Sequence, residues 1–379
     1  MINITLTEAV VVQKVKIAIP QNRMHFKCYY LVFALLITGC YVNEDQQLSV
    51  DAINFTIDTL ITYQLDGSVF TSSDSLGSPF SLDVGQERLF VEDNSSVTSG
   101  NLLIFDLSTG DFLSSAVNKG EGPLEMNRLR SLDFKPNQNS GWLYDSSQRK
   151  IQFFEGDSLT DKMIRLEDSG FIFEAVMTEG DRIVTAGMHE AGRLAIHSPD
   201  GKLVRYLGDD PPGDPEIPNA VRNHVYQSWL ATNSSGNRIV SATWHSDQVD
   251  IFDLQGQLHL IRGPGFHEPK YSVYGDDDGN SWMGLEDETI IAYLSVDATD
   301  EFIYALYCGK TLGWSMSTGT GTARGDQVIV FDWNGIPKAL LQIEDGALKI
   351  GISGDGRDLY AIYYSPTPLI LRYELPDIG

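Results

Sequence analysis

One two-part motif recurs six times along this chain, and that repetition limits its fold more than any other feature. The first part is Leu89-Phe90-Val91, Leu143-Tyr144-Asp145, Ile183-Val184-Thr185, Ile239-Val240-Ser241, Ile303-Tyr304-Ala305 and Leu359-Tyr360-Ala361. The second part follows each time: Phe105-Asp106, Phe154-Glu155, His197-Ser198, Phe252-Asp253, Phe331-Asp332 and Tyr373-Glu374. Gly often comes soon after, as in Asp106-Leu107-Ser108-Thr109-Gly110 and Asp332-Trp333-Asn334-Gly335. That grouping is a hairpin turn, in which Asp caps the backbone and Gly accepts positive φ. A further apolar run precedes the later first parts, as at Phe171-Ile172-Phe173, Trp229-Leu230-Ala231, Ile291-Ala292-Tyr293-Leu294 and Leu348-Lys349-Ile350-Gly351. Each unit therefore reads as an inner strand, a second strand, a third ending in the Asp turn, and usually a fourth.

Six four-stranded units predict an all-β fold, a six-bladed β-propeller over residues 53–379. A seven-bladed ring is the competing count. The last third strand, Leu369 to Leu375, stops four residues before the end of the sequence, so the sixth unit lacks a fourth strand. Ile53, Phe55, Ile57, Ile61, Tyr63 and Leu65 alternate with polar residues. This N-terminal strand is expected to join the last blade and close the ring.

The N-terminus reads as an address. His25 and Lys27 precede a mostly apolar run from Tyr29 to Thr38, too short to span a bilayer but suited to a signal peptide. It ends in Ile37-Thr38-Gly39-Cys40, which looks like a lipobox. Residues 1–39 are then a signal peptide, with Met24 a candidate true start, Cys40 is the lipidated residue, and residues 40–52 are a tether. Asn43-Glu44-Asp45 behind the cysteine fits either a surface-export signal or a plain polar spacer. Of the three cysteines, only Cys308 would remain as a thiol, expected as a small buried hydrophobe.

The sequence has 52 Asp+Glu against 27 Lys+Arg, a net charge of −25. That balance argues against nucleic acid or an anionic membrane surface as the main partner.

Gly120-Glu121-Gly122-Pro123-Leu124-Glu125, Trp142-Leu143-Tyr144-Asp145-Ser146 and Arg149-Lys150-Ile151-Gln152-Phe153-Phe154 together look like one degenerate NHL-type repeat, with Leu124 where its loop has a last Gly. With the lipobox, and with the segments Ile303 to Thr311 and Val328 to Gly335, the sequence resembles the TolB-like six-bladed propeller lipoproteins of Bacteroidota. The resemblance covers roughly residues 40 to 379. It implies the fold and an outer-membrane lipoprotein, periplasmic or surface-exposed, and it carries no catalytic residues.

Catalytic signatures are weak. Gly309-Lys310-Thr311 ends like a phosphate loop, but Tyr304 stands where the leading Gly belongs, and no helix is expected after it. Gly313-Trp314-Ser315-Met316-Ser317 is a broken nucleophile elbow. Asp276, Asp278 and Asn280 are a weak calcium candidate in what reads more simply as a solvated turn. His189, His224, His245, His259 and His267 lack ligand spacing for zinc, and no cofactor is expected. Asp58-Thr59-Leu60, Asp74-Ser75-Leu76 and Asp157-Ser158-Leu159 are short candidates for O-glycosylation.

The long loops fall at Gly208 to Arg222, Arg262 to Glu288 and Gly309 to Gly325, all on one expected face around blades four and five. They carry Phe266, Tyr271, Trp282, Trp314 and Arg324, with Trp244 and His245 in a neighbouring short loop. Aromatics beside Arg suit a protein or glycan partner. The expected function is a monomeric, lipid-anchored binding or scaffold module of the cell envelope without catalysis. The alternatives are a glycan- or peptide-active envelope enzyme with acidic residues on the propeller face, and a purely structural envelope protein.

Overall fold

The computed structural model describes residues 51–95, 100–134, 140–167, 170–275, 281–317, 323–364 and 367–378. The signal segment, Cys40 and the calcium candidate Asp276, Asp278 and Asn280 lie outside them.

All twelve motif copies sit where the repeat places them. Blade I comprises Pro79–Val84, Arg88–Asp93, Gly100–Asp106 and Phe112–Asn118. Blade II comprises Leu129–Phe134, Ser140–Asp145, Lys150–Glu155 and Ser158–Arg165. Blade III comprises Ile172–Thr178, Arg182–Gly187, Leu194–His197 and Leu203–Leu207. Blade IV comprises Ser228–Thr232, Ile239–Thr243, Gln248–Phe252 and Gln257–Arg262. Blade V starts with Ile290–Ala298, Phe302–Thr311 and Gly325–Asp332, and its outer strand is the first half of Pro337–Ile352. The second half of that strand is the inner strand of blade VI, followed by Asp358–Tyr364 and Pro368–Glu374. Blades V and VI thus share one continuous strand, and their sheets run together.

The first motif column is apolar because second strands are buried on both faces. Leu89, Phe90 and Val91 are fully buried, as are Val240 and Leu359. The second column turns the chain by the expected chemistry. Asp106 Oδ1 accepts the Ser108 and Thr109 N–H groups at 2.9 and 3.0 Å, and Asp332 Oδ1 accepts those of Asn334 and Ile336 at 2.9 Å. Gly110 and Gly335 then take φ of +76° and +78°.

Six apolar clusters fill the six spaces between neighbouring blades, and this sets the blade number. Phe90 stacks on Phe134 at 3.5 Å between blades I and II. Tyr144 and Ile183 meet between II and III, Val184 and Phe252 between III and IV, and Val240 and Phe331 between IV and V. Leu341 and Leu359 meet between V and VI. The ring closes where Leu89 and Phe105 of blade I pack with Tyr360 and Ile370 of blade VI.

The N-terminal segment does complete blade VI, but through other residues than the alternation suggested. Ser68–Thr71 is the fourth strand, antiparallel to Pro368–Glu374. The alternating residues before it lie elsewhere. Ala52–Asn54 adds a parallel strand to the outer edge of blade IV, and Ile61–Gln64 does the same on blade V. Period-2 alternation records that one face is covered, and it does not record which sheet edge the strand borders. The segment is a strap along three blades, covering edges that would otherwise be open to pairing.

Candidate functional site

Inner strands of neighbouring blades meet all the way around the central channel. Their inward positions carry polar and charged side chains within otherwise apolar runs. Arg130 comes from blade II, Glu174 from III, Trp229 from IV, Ser295 from V and Lys349 from VI, and Phe80 of blade I completes the ring at this level.

Lys349 is 8% exposed. Its Nζ donates to the Leu294 carbonyl at 2.7 Å and lies 2.9 Å from the centre of the Trp229 ring. The Trp229 indole N–H is spent on the Tyr293 carbonyl at 2.8 Å, which fixes the ring flat against the amine. Arg130 lies over Phe80 at 5.4 Å. Behind these cations stand two buried carboxyl groups. Burial pushes Glu92 up to about 8 and Glu174 to about 7, against the opposing pull of Arg130 and Lys349. Burial also brings Lys349 down to about 7.

The other end of the channel is acidic. Asp83, Asp133 and Asp297 gather there, and burial raises Asp83 well above the usual carboxylate range and Asp297 to about 6. Asp83 accepts the Val84 and Phe134 N–H groups, and Asp297 those of Ala298 and Ile352. Phe134 and Ile352 belong to the next blade in each case, so these two carboxylates tie inner strands together. Among the described residues no His, Cys, Asp and Glu group could hold a metal ion.

The long loop Gly309 to Gly325 reaches the channel end that bears Arg130 and Lys349, lining it with Leu312, Ser315, Ala323 and Arg324. Of the seven residues singled out in sequence, Trp244 and Arg324 line the channel mouth. Phe266, Trp282 and Trp314 are exposed, at 48%, 44% and 44%. Tyr271 begins the projecting hairpin Tyr271–Gly275 and Ser281–Leu285, and Trp282 lies opposite Tyr274 on it. Tyr271 is half-buried, and a Cβ on Gly213 of the preceding long loop would come within 3.2 Å of its hydroxyl. His245 does not present itself to a partner. It is 2% exposed and stacks on Trp244 at 4.8 Å, and burial lowers its pKa to about 4.

Phe266 is held outward by its neighbours. Asp247 is fully buried, and its Oδ2 accepts the Gly265 and His267 N–H groups at 2.9 and 3.1 Å and meets His267 Nδ1 at 2.7 Å. This grip puts Phe266 at φ +60°, a strained conformation for a bulky residue that persists only where the surroundings enforce it.

A short helix, Leu312–Ser317, does follow Lys310 and Thr311, contrary to the sequence expectation. Thr311 Oγ1 caps it by accepting the Trp314 N–H at 3.1 Å. Lys310 and Thr311 themselves remain in the extended strand Phe302–Thr311, with Lys310 Nζ 4.4 Å from the Trp314 ring centre. Ser315, the centre of the broken nucleophile motif, is buried at 3%.

The sequence reading passed over Phe80, Arg130, Glu174 and Lys349. The available signal was a charged residue inside an apolar inner strand, as in Ala347-Leu348-Lys349-Ile350 and Phe173-Glu174-Ala175-Val176. Such a residue is costly in a core and is tolerated beside a channel.

No curated protein matches this sequence. Among solved structures, a member of the DUF4221 family from Bacteroides vulgatus is similar at TM-score 0.52 and 8% identity, covering 83% of this chain and 97% of that one. The β-propeller domain of Cps50 (Swd1) from Myceliophteria thermophila is similar at TM-score 0.46 and 11% identity, covering 82% of this chain and all of that one. The profile of the TolB-like 6-blade propeller-like family matches residues 57–353. With six blade-to-blade cores closing one ring around a charged channel, the protein belongs to the TolB-like six-bladed propeller family.

Proposed function

We propose that this protein is a binding or scaffold module that engages a protein or glycan partner through the face above blades IV and V and performs no catalysis. The observation that carries the reading is the exposure of Phe266, Tyr274, Trp282, Trp314 and Met316 on insertions of this one sector. The Asp turns of the opposite face are short. Aromatic and Met side chains on a rigid scaffold are the usual anchors of protein interfaces. The enforced strain at Phe266 supports the same reading, because an exposed ring held at φ +60° gains nothing for the core.

The double change Trp282→Ala with Trp314→Ala removes two such anchors. Truncating one hot spot costs about 2 kcal/mol or more, about thirtyfold in affinity. The double variant is expected to lose envelope partners captured by the wild type, with unchanged circular dichroism. Equal recovery by both proteins would place the partner surface elsewhere.

An enzymatic reading draws on the raised carboxyl groups at Glu174 and Asp297, since perturbed acids in a channel are what acid–base chemistry uses. Against it, Asp297 has both oxygens occupied by backbone N–H groups. Turnover of an envelope glycan or peptide by the purified protein would decide for the enzyme.

We also propose that Cys40 carries lipid and holds the protein at the cell envelope, on the sequence Ile37-Thr38-Gly39-Cys40. No helix among the described residues is long and apolar enough to cross a membrane. Acyl chains contribute about 0.8 kcal/mol per buried methylene. Cys40→Ser is expected to abolish incorporation of labelled palmitate, and continued labelling would refute the anchor.

A further inference from the structure

The channel mouth on the loop-bearing face is a cavity of about 850 Å³, within the range of small-ligand sites. Its described lining includes Arg128, Arg130, Arg324 and Lys349 and no Asp or Glu. The whole sequence has about two acidic residues for each basic one, so this segregation belongs to the site and runs against the composition. The walls are flat rings: Phe80, Phe171, Phe173, Trp229 and Trp244. Arg130 and Lys349 rest on rings at the floor instead of forming a close ion pair. Arg130 Nε, Arg324 Nε and Trp244 Nε1 are buried and have no hydrogen-bond partner among the described residues. Buried donors of this kind are costly unless something accepts from them.

We propose that this mouth binds an organic carboxylate with a flat apolar body, the carboxylate meeting Arg130 and Lys349 at the floor and the body lying between the Phe and Trp rings. A guanidinium presents paired donors that match carboxylate geometry. Only Arg130 and Lys349 reach this floor, and burial lowers the charge that Lys349 carries, so a single negative charge fits better than a dianionic phosphate. The far end carries Asp83, Asp133 and Asp297 in place of this cationic cluster, so the anion site is confined to the mouth. Trp282 and Trp314 do not line this cavity, so its ligand is independent of the outer partner surface.

The test is isothermal titration of the purified full-length protein with indole-3-acetate and with the peptide Gly-Gly-Trp, each beside its uncharged amide. At least one acid is expected to bind about tenfold or more tightly than its amide, the scale of a hydrogen bond to a charged group. Preference for indole-3-acetate identifies a free small acid as the ligand type, and preference for the peptide identifies the terminal carboxylate of a polypeptide. Arg130→Gln and Lys349→Met are each expected to weaken the acid about tenfold, while Lys202→Gln, on an exposed turn, leaves it unchanged. If Lys349→Met fails to fold, Arg130→Gln and the rim variant Arg324→Gln carry the same comparison. Equal binding of acid and amide overturns the proposal, as does the absence of binding by either acid up to about 1 mM.

Discussion

Deleting residues 51–71 is expected to make the propeller aggregate. The deletion takes the fourth strand from blade VI and the covering strands from the edges of blades IV and V. Three rows of backbone N–H and C=O groups are then free to pair with other molecules. It also removes Phe55, 6% exposed and edge-on to Phe331 at 5.4 Å, and Phe70, edge-on to Tyr360 at 5.1 Å. Removing a buried Phe side chain costs about 3–5 kcal/mol. In a domain this large that alone lowers the melting temperature by about 4–7 °C. A shorter deletion of 51–66 keeps Ser68–Thr71 on blade VI and is expected to stay free of aggregates at low concentration, with reduced melting temperature. Calorimetry and size-exclusion chromatography separate the three proteins. An unchanged melting temperature in the longer deletion would show that the strap is not part of the cooperative fold.

Arg193→Met is expected to destabilise the protein by about 3–5 kcal/mol, the cost of leaving a buried charge without its partner. Arg193 and Asp250 are 6% and 1% exposed at the side chain and lie 3.7 Å apart. Arg193 also donates to the Tyr226 carbonyl at 3.0 Å and to the Ser228 and Thr243 hydroxyls at 3.2 and 3.3 Å. It thereby ties blade III to blade IV. Asp250 accepts from Gln248 and Gln257, at 2.9 and 2.8 Å in its nearest contacts. Adding Asp250→Asn removes the stranded charge and keeps an acceptor for the glutamines. The double variant is therefore expected to be more stable than Arg193→Met by about 1–3 kcal/mol. Urea denaturation of the four proteins reads the cycle. A single variant within about 1 kcal/mol of wild type would show that Asp250 is neutralised by other means.

The helix Leu312–Ser317 shows one way in which sequence reading fails. Gly313 lowers helix propensity, and six residues are too few for periodicity to register. The Thr311 cap and the packing of the turn over blade V decide the matter locally. His245 shows another. Beside Trp244 in a loop it reads as a contact residue, yet the loop folds inward and the imidazole stacks beneath the indole. Loop membership is visible in sequence, whereas the direction of a loop side chain depends on its three-dimensional neighbours.

The repeating unit was legible from the residues alone. Apolar second strands, Asp-Gly turns and inner runs are local patterns, and local hydrogen bonding and burial on both faces require them wherever they occur. Those patterns set six blades, the order of strands in each, and the face on which the long loops emerge. Which edges the strap covers was settled by folding, because alternation is satisfied against any sheet edge. Folding also gathered Arg130, Glu174, Trp229 and Lys349, up to 219 residues apart in sequence, around one channel. Each is a single inward position on a different blade, with no spacing between them to read. Only closure of the ring brings them together, and only burial away from water shifts the charge states of Glu174 and Lys349.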